Sequence, residues 1–75
     1  MKFNKKQLDL LIKVAKQDGN KSITDFGKGI YNTYRMVHIN MDNFVDIGLV
    51  EYKTKKNKVI PHLTDFGKDI LRTLI

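Results

Sequence analysis

Residues 32–49, NTYRMVHINMDNFVDIGL, constrain this chain more than any other stretch. Val37, Met41, Phe44 and Val45 follow one another at intervals of four, three and one, which is one side of a 3.6-period helix. The other side carries Arg35, His38, Asn40 and Asn43, all able to donate or accept hydrogen bonds. Gly48 follows the last apolar turn, where a left-handed residue closes a helix. The stretch predicts an amphipathic helix that begins near Thr33 or Tyr34 and has a basic, amide-bearing outer surface. The rest of the chain must supply a core for its apolar side.

That core has to be small. The chain has 75 residues, enough for a single domain over 1–75 and too few for two, and 41% of them are apolar. Self-association would add buried surface to such a domain. The chain has no cysteine, so disulfides and thiolate zinc sites are excluded, and a reducing, cytoplasmic location is expected. Fourteen Lys and Arg against eight Asp and Glu leave +6, a dense excess that favours a polyanionic partner or an anionic membrane surface and equally suits plain solubility. The early apolar run is broken by Lys13 and Lys16, so no signal peptide is expected, and no stretch has the length of a bilayer span.

The flanking segments read as short capped elements. Asn4 and Gln7 form a capping-box pair before a helix over 5–17, with Phe3 and Leu8 at the staple positions and Gly19 as the stop. Leu8, Leu11, Ile12 and Ala15 line one face, broadened by Leu10 and Val14. Residues 21–23 are a brief strand candidate. Thr24 is the expected cap of a short helix over 25–30, anchored by Phe26 and Ile30. Short helix, turn and long helix make a helix-turn-helix unit over 24–47. Residues 49–54 and 58–63 then alternate as two strands of a hairpin over 49–63, turning at Lys55-Lys56-Asn57. Thr64 caps a last helix with Asp65 in its first turn and Ile70, Leu71 and Leu74 as its apolar stripe.

The hexapeptide ITDFGK at 23–28 returns as LTDFGK at 63–68. No matching units follow the two copies, so both are expected to be helix starts, each with a hydroxyl cap, an early acid and an aromatic anchor.

The order of helix, short strand, helix, helix, two strands and helix resembles the winged-helix branch of helix-turn-helix proteins, over nearly the whole chain. FVDIGLV at 44–50 is similar to the end of a recognition helix and the entry to a wing. LTDFGK is similar to the wing exit of small bacterial and archaeal regulators, including MarR-like and PadR-like proteins, whose frequent pattern is Leu-Thr, two variable residues and Gly-Lys. The resemblance implies a mainly α winged helix-turn-helix with a small β-hairpin. It also implies double-stranded DNA as partner, transcriptional regulation and a homodimer. The recognition-helix residues carried over are Asn32, Thr33, Tyr34, Arg35, His38 and Asn43. The wing residues are Lys53, Lys55, Lys56, Asn57 and Lys58. Ile39 departs from a polar outer side; it suits a thymine methyl or a protein contact, or marks a shifted helical phase. No effector-binding domain is evident.

The residue chemistry agrees with binding rather than catalysis. Four lysines between 53 and 58 suit phosphates, and they equally suit a solvated turn that blunts a strand edge. Arg35 suits the O6 and N7 of guanine, or a phosphate. Asn32, Asn40 and Asn43 suit base edges or nearby backbone groups. His38 and His62 lie 24 residues apart without acidic or thiol co-ligands, so neither a metal nor a cofactor is expected. No nucleophile triad or phosphate-binding glycine loop is present, so no enzymatic activity is expected. The alternative function is a winged-helix protein-interaction module without sequence-specific DNA binding.

Overall fold

Asn4 opens the first helix by the expected reciprocal cap. Its side chain accepts from the Gln7 N–H at 2.8 Å, and Gln7 Oε1 accepts from the Asn4 N–H at 3.0 Å. The computed structural model describes residues 2–16 and 21–74. Its elements are α1 (Lys5–Ala15), α2 (Ile23–Phe26), α3 (Tyr34–Ile47), β1 (Val50–Lys55), β2 (Lys58–Leu63) and α4 (Asp65–Leu74). Helix α1 ends at Ala15 with Lys16 as its C-cap, two residues before the expected end. Gln17 and the Asp18-Gly19-Asn20 stop lie outside the described residues.

Helix α3 follows its pattern closely. Thr33 caps it, accepting from the Met36 N–H at 3.3 Å. Gly48 closes it at φ 95°, and the Leu49 N–H returns to the Phe44 carbonyl at 2.9 Å. Val37, Met41 and Phe44 are buried with Leu10, Leu11 and Val14 of α1, Ile23 and Phe26 of α2, and Leu71 of α4. Phe3 meets Phe44 edge-to-face at 5.9 Å, and Phe3 and Leu8 both pack on this core, as a staple does. Tyr31 leans on the same core with the Lys6 ammonium 5.8 Å from its ring centre. Asn40, expected on the outer side, is instead buried among these residues.

The repeated hexapeptide takes two different settings. In the second copy Thr64 is the cap: its hydroxyl accepts from the Gly67 N–H at 2.9 Å, and α4 starts at Asp65. In the first copy the cap is Ser22, and Thr24 lies inside a four-residue helix. The Ser22 N–H and hydroxyl both reach Asp25 Oδ2, at 3.2 and 3.1 Å. These bonds hold the Asp25 carboxyl below its ordinary range. The corresponding position in the second copy is His62, which has no short oxygen side chain to start a helix early. Ser22 therefore draws 21–23 into a cap and first turn, and the short strand expected there does not form. The anchors differ as well. Phe26 is buried, whereas Phe66 is 48% exposed, because starting two residues later turns it away from the core.

The hairpin is the whole sheet among the described residues. Lys56 and Asn57 adopt φ 50° and 65°, a two-residue turn closed by the Lys55–Lys58 pair. Opposite pairs run from Lys55–Lys58 to Val50–Leu63, with Pro61 paired to Tyr52 near the covered base. Ile60 and Pro61 are both buried although they face opposite sides of the ribbon, so the base is packed on both faces. A Cβ on Gly67 would overlap the Leu49 carbonyl oxygen, so glycine there lets α4 lie against the α3–β1 corner.

The Tyr52 hydroxyl ties the hairpin to α3, donating to Asp42 Oδ1 at 2.6 Å. Burial first, then this bond and the charges of Asp42 and Asp46, push its pKa above the ordinary 10. The folded protein keeps a proton that the unfolded chain releases near pH 10. This contribution to stability is intact below that pH and is lost as pH rises through the folded value. Urea unfolding at a series of alkaline pH values should show stability falling above about pH 10, and a shallower fall in Tyr52→Phe. The same slope in both proteins would contradict the assigned proton.

Candidate nucleic-acid interface

Packing the Val37–Met41–Phe44 side of α3 inward leaves Arg35, Met36, His38, Ile39, Asp42, Asn43 and Asp46 exposed. Tyr34 is exposed at the first turn, with Asn32 and Thr33 exposed just before it. Ile39 is 43% exposed and projects outward, so the helical phase read from the sequence holds at this position and fails at Asn40, which turns inward. Thr33 has its hydroxyl committed to the cap.

The outer surface of α3 is less basic than its first half implies. Along Tyr34–Ile47 one arginine stands against two aspartates, which is −1 with neutral His38. Arg35, Ile39, Asp42 and Asp46 succeed each other at i, i+4, i+7 and i+11, so the exposed line runs from cationic to anionic. Asp42 also holds Tyr52.

The positive charge lies beside α3. In the hairpin register Lys53, Lys55 and Lys58 share one face, and Lys56 sits in the turn. All four are exposed. Lys53 lies 3.6 Å from Glu51, both well exposed, so that pair counts little. A second group of lysines escaped the sequence reading. Lys13, Lys16 and Lys21 surround a small cleft with Asp25 and Phe26, and the Lys13 ammonium donates to the Lys28 carbonyl at 2.8 Å. These lysines are dispersed in sequence; only the folding of α1 onto α2 gathers them.

A cleft of about 370 Å³ joins the wing to the helix-turn-helix. The wing contributes Asn57, Lys58 and Val59, α3 contributes His38, and the start of α2 contributes Ser22, Ile23 and Thr24. Three of the expected site residues, His38, Asn57 and Lys58, therefore meet there. Ser22 and Thr24 were read only as strand and cap. Their hydroxyls, 3.1 Å apart, reach this cleft because α2 begins at Ile23. Asn32 and Asn43 are exposed but do not line it. Asn40 donates to the Met36 carbonyl at 2.8 Å, the local-backbone role of an asparagine amide. Among the described residues no three His, Asp or Glu side chains gather to hold a metal ion, and no helix is long and apolar enough to cross a membrane.

No family model and no curated protein matches the chain. Solved structures do. The protein AF1382 from Archaeoglobus fulgidus superposes with a TM-score of 0.81 at 20% identity, over 96% of this chain and 82% of that one. BpsR of Bordetella bronchiseptica, whose DNA binding is regulated by 6-hydroxynicotinic acid, gives 0.81 at 19%, over 97% of this chain and 53% of its own. The multiple antibiotic-resistance repressor MarR of Listeria monocytogenes gives 0.71 at 22%, over 89% and 46%. The chain thus spans about half the length of these last two. Likeness at this level of identity speaks for architecture, and with the elements described above it makes the fold a winged helix-turn-helix.

Proposed function

We propose that this protein binds double-stranded DNA sequence-specifically and regulates transcription. The observation that carries the reading is the cleft where His38 of α3 meets Asn57 and Lys58 of the wing. It makes one continuous surface of a helix that fits a major groove and a lysine-bearing ribbon that fits the backbone or minor groove. BpsR, of the same fold, binds DNA. The unit over 24–47 reads bases and the wing over 49–63 grips phosphates. Arg35 reads guanine, with Asn32, Thr33, Tyr34, His38 and Asn43 around it. Lys53, Lys55, Lys56, Asn57 and Lys58 neutralise or hydrogen-bond the backbone. Asp42 and Asp46 repel phosphates, so α3 enters the groove N-terminal end first, with Asn43 at the limit of its reach, and lifts away at its C-terminal end.

Two copies act together. Half-sites one helical turn apart are separated by about 34–36 Å, and the long axis of this chain is 33 Å. A pair of copies of this size is of the right scale for α3 helices to enter successive major grooves. Phe66, Ile70 and Leu74 line up at i, i+4 and i+8 on α4, with Phe66 48% and Leu74 39% exposed, which supports α4 as the contact. Sedimentation at rising concentration should show a monomer–dimer equilibrium that Phe66→Glu shifts to monomer. A strictly monomeric protein, free and on a symmetric DNA site, would remove the dimer.

Selection from random duplexes, followed by titration of selected and scrambled sites at several salt concentrations, tests the function. Added salt should weaken both complexes. Replacing Lys55 and Lys56 by alanine should weaken both alike and reduce the salt slope by up to about two units. Arg35→Ala should cost about 1–3 kcal/mol, mainly on the selected site. Equal loss on both duplexes would make Arg35 a phosphate contact, and no duplex binding at low salt would defeat the function.

A further inference from the structure

Asn40 is the one buried polar side chain among the described residues, 6% exposed on the inner side of α3. Its amide is the end of a directional chain of hydrogen bonds. The Asn4 N–H donates to Gln7 Oε1 at 3.0 Å, which leaves Gln7 Nε2 as the donor. Gln7 Nε2 donates to Asn40 Oδ1 at 3.1 Å. Asn40 Nδ2 then donates to the Met36 carbonyl at 2.8 Å. Each amide has its oxygen and nitrogen assigned by the bond before it. Flipping either one sets donor against donor or acceptor against acceptor.

From this we infer that Gln7 and Asn40 are positioning residues that fix the rotational setting of α3, and so determine DNA specificity without touching DNA. The inference rests on the sequence-specific reading above. The other contacts of the inner side of α3, made by Val37, Met41 and Phe44, are apolar, and Met41 repacks easily; the Tyr52 bond to Asp42 ties α3 to the hairpin, so Gln7–Asn40 is the side-chain hydrogen bond that ties it to α1. An apolar seam tolerates a small rotation that an amide pair does not. Turning α3 by about 20° moves a surface side chain, about 5–6 Å from the axis, by about 2 Å. A bidentate base contact needs its groups held within about 0.5 Å and 10–20°. Phosphate contacts by flexible wing lysines are far less exacting. The Met36 carbonyl lies in the turn that carries Arg35 and Ile39, so the chain of bonds ends where base reading starts.

The test compares wild type, Asn40→Leu, Gln7→Met and their double variant on a selected and a scrambled duplex at one salt concentration, with thermal melts and the salt slope recorded. Asn40→Leu leaves Gln7 Nε2 without its acceptor, so a lower melting temperature is expected, while the double variant Gln7→Met with Asn40→Leu, which replaces both partners, should melt close to wild type. The affinity of Asn40→Leu for scrambled duplex and its salt slope should be unchanged, while the ratio of selected to scrambled affinity falls about tenfold or more. Gln7→Met, which breaks the link between α1 and α3 together with the exposed Asn4 N–H bond of the α1 cap, should lower the same ratio, and it serves as the test if Asn40→Leu fails to fold. A folded variant of either kind with the wild-type ratio overturns the inference. A wild-type protein that binds both duplexes equally removes the sequence-specific reading, and this inference with it. That result is distinct, because in the first case wild type still discriminates.

Discussion

One hydroxyl closes the architecture. Thr64 Oγ1 donates to the Gly48 carbonyl at 2.6 Å and accepts from the Gly67 N–H at 2.9 Å, while the Thr64 N–H bonds the Leu49 carbonyl at 3.0 Å. Gly48 ends α3, Leu49 precedes β1, Thr64 follows β2 and Gly67 lies in α4. The wing leaves and returns at a single joint. An isolated hairpin is marginal in water, so its direction relative to α3 is set where its two ends are pinned. The Tyr52–Asp42 bond adds a second point farther along β1. The two points make the angle between wing and α3 a property of the fold rather than of a flexible arm.

Charge is partitioned over that frame. The net +6 does not come from α3, whose residues sum to −1. It comes from the wing on one side and from the α1–α2 lysines on the other. On the proposed DNA-binding reading, a polyanion is drawn to the flanks, and the outer side of α3, with Arg35, His38, Ile39 and Asn43, is left to distinguish one sequence from another. That division matches the general one in which phosphate contacts position and base contacts specify. The acidic end of α3 adds an orientation, since only its N-terminal end faces phosphate without repulsion.

Much of this was legible in the residues, for local reasons. The Asn4–Gln7 box, the Gly48 stop and the Thr64 cap are all decided within a few residues, and each stands where the sequence places it; the turn is one residue shorter than expected, since Lys55 belongs to β1. The start of α2 was not legible. Ser22 and Thr24 are both competent caps, and the choice rests on whether Asp25 reaches back to Ser22, a difference of two residues. Asn40 was misplaced because its one-letter pattern is polar; burying it depends on Gln7, thirty-three residues earlier, supplying a partner. Phe66 was read as an anchor from its identity with Phe26, but the shifted cap turns it outward. Of the candidate site, the outer positions Arg35, His38 and Asn43 of α3 could be named from periodicity, and the wing lysines from their clustering and the resemblance. The meeting of His38, Asn57 and Lys58 with Ser22 and Thr24 could not, because tertiary packing alone creates it.

The central claim is that the outer side of α3 from Tyr34 to Asn43 and the wing form one surface for duplex DNA. Titration of the protein with a selected duplex, followed through backbone amide resonances, tests it most directly. The account predicts that the largest shifts fall on Arg35, His38, Ile39 and Asn43 and on residues 55–58, with α4 little affected except where a second copy binds. Shifts confined to α4 or to the back of α1, with α3 and the wing unmoved under saturating duplex, would contradict it.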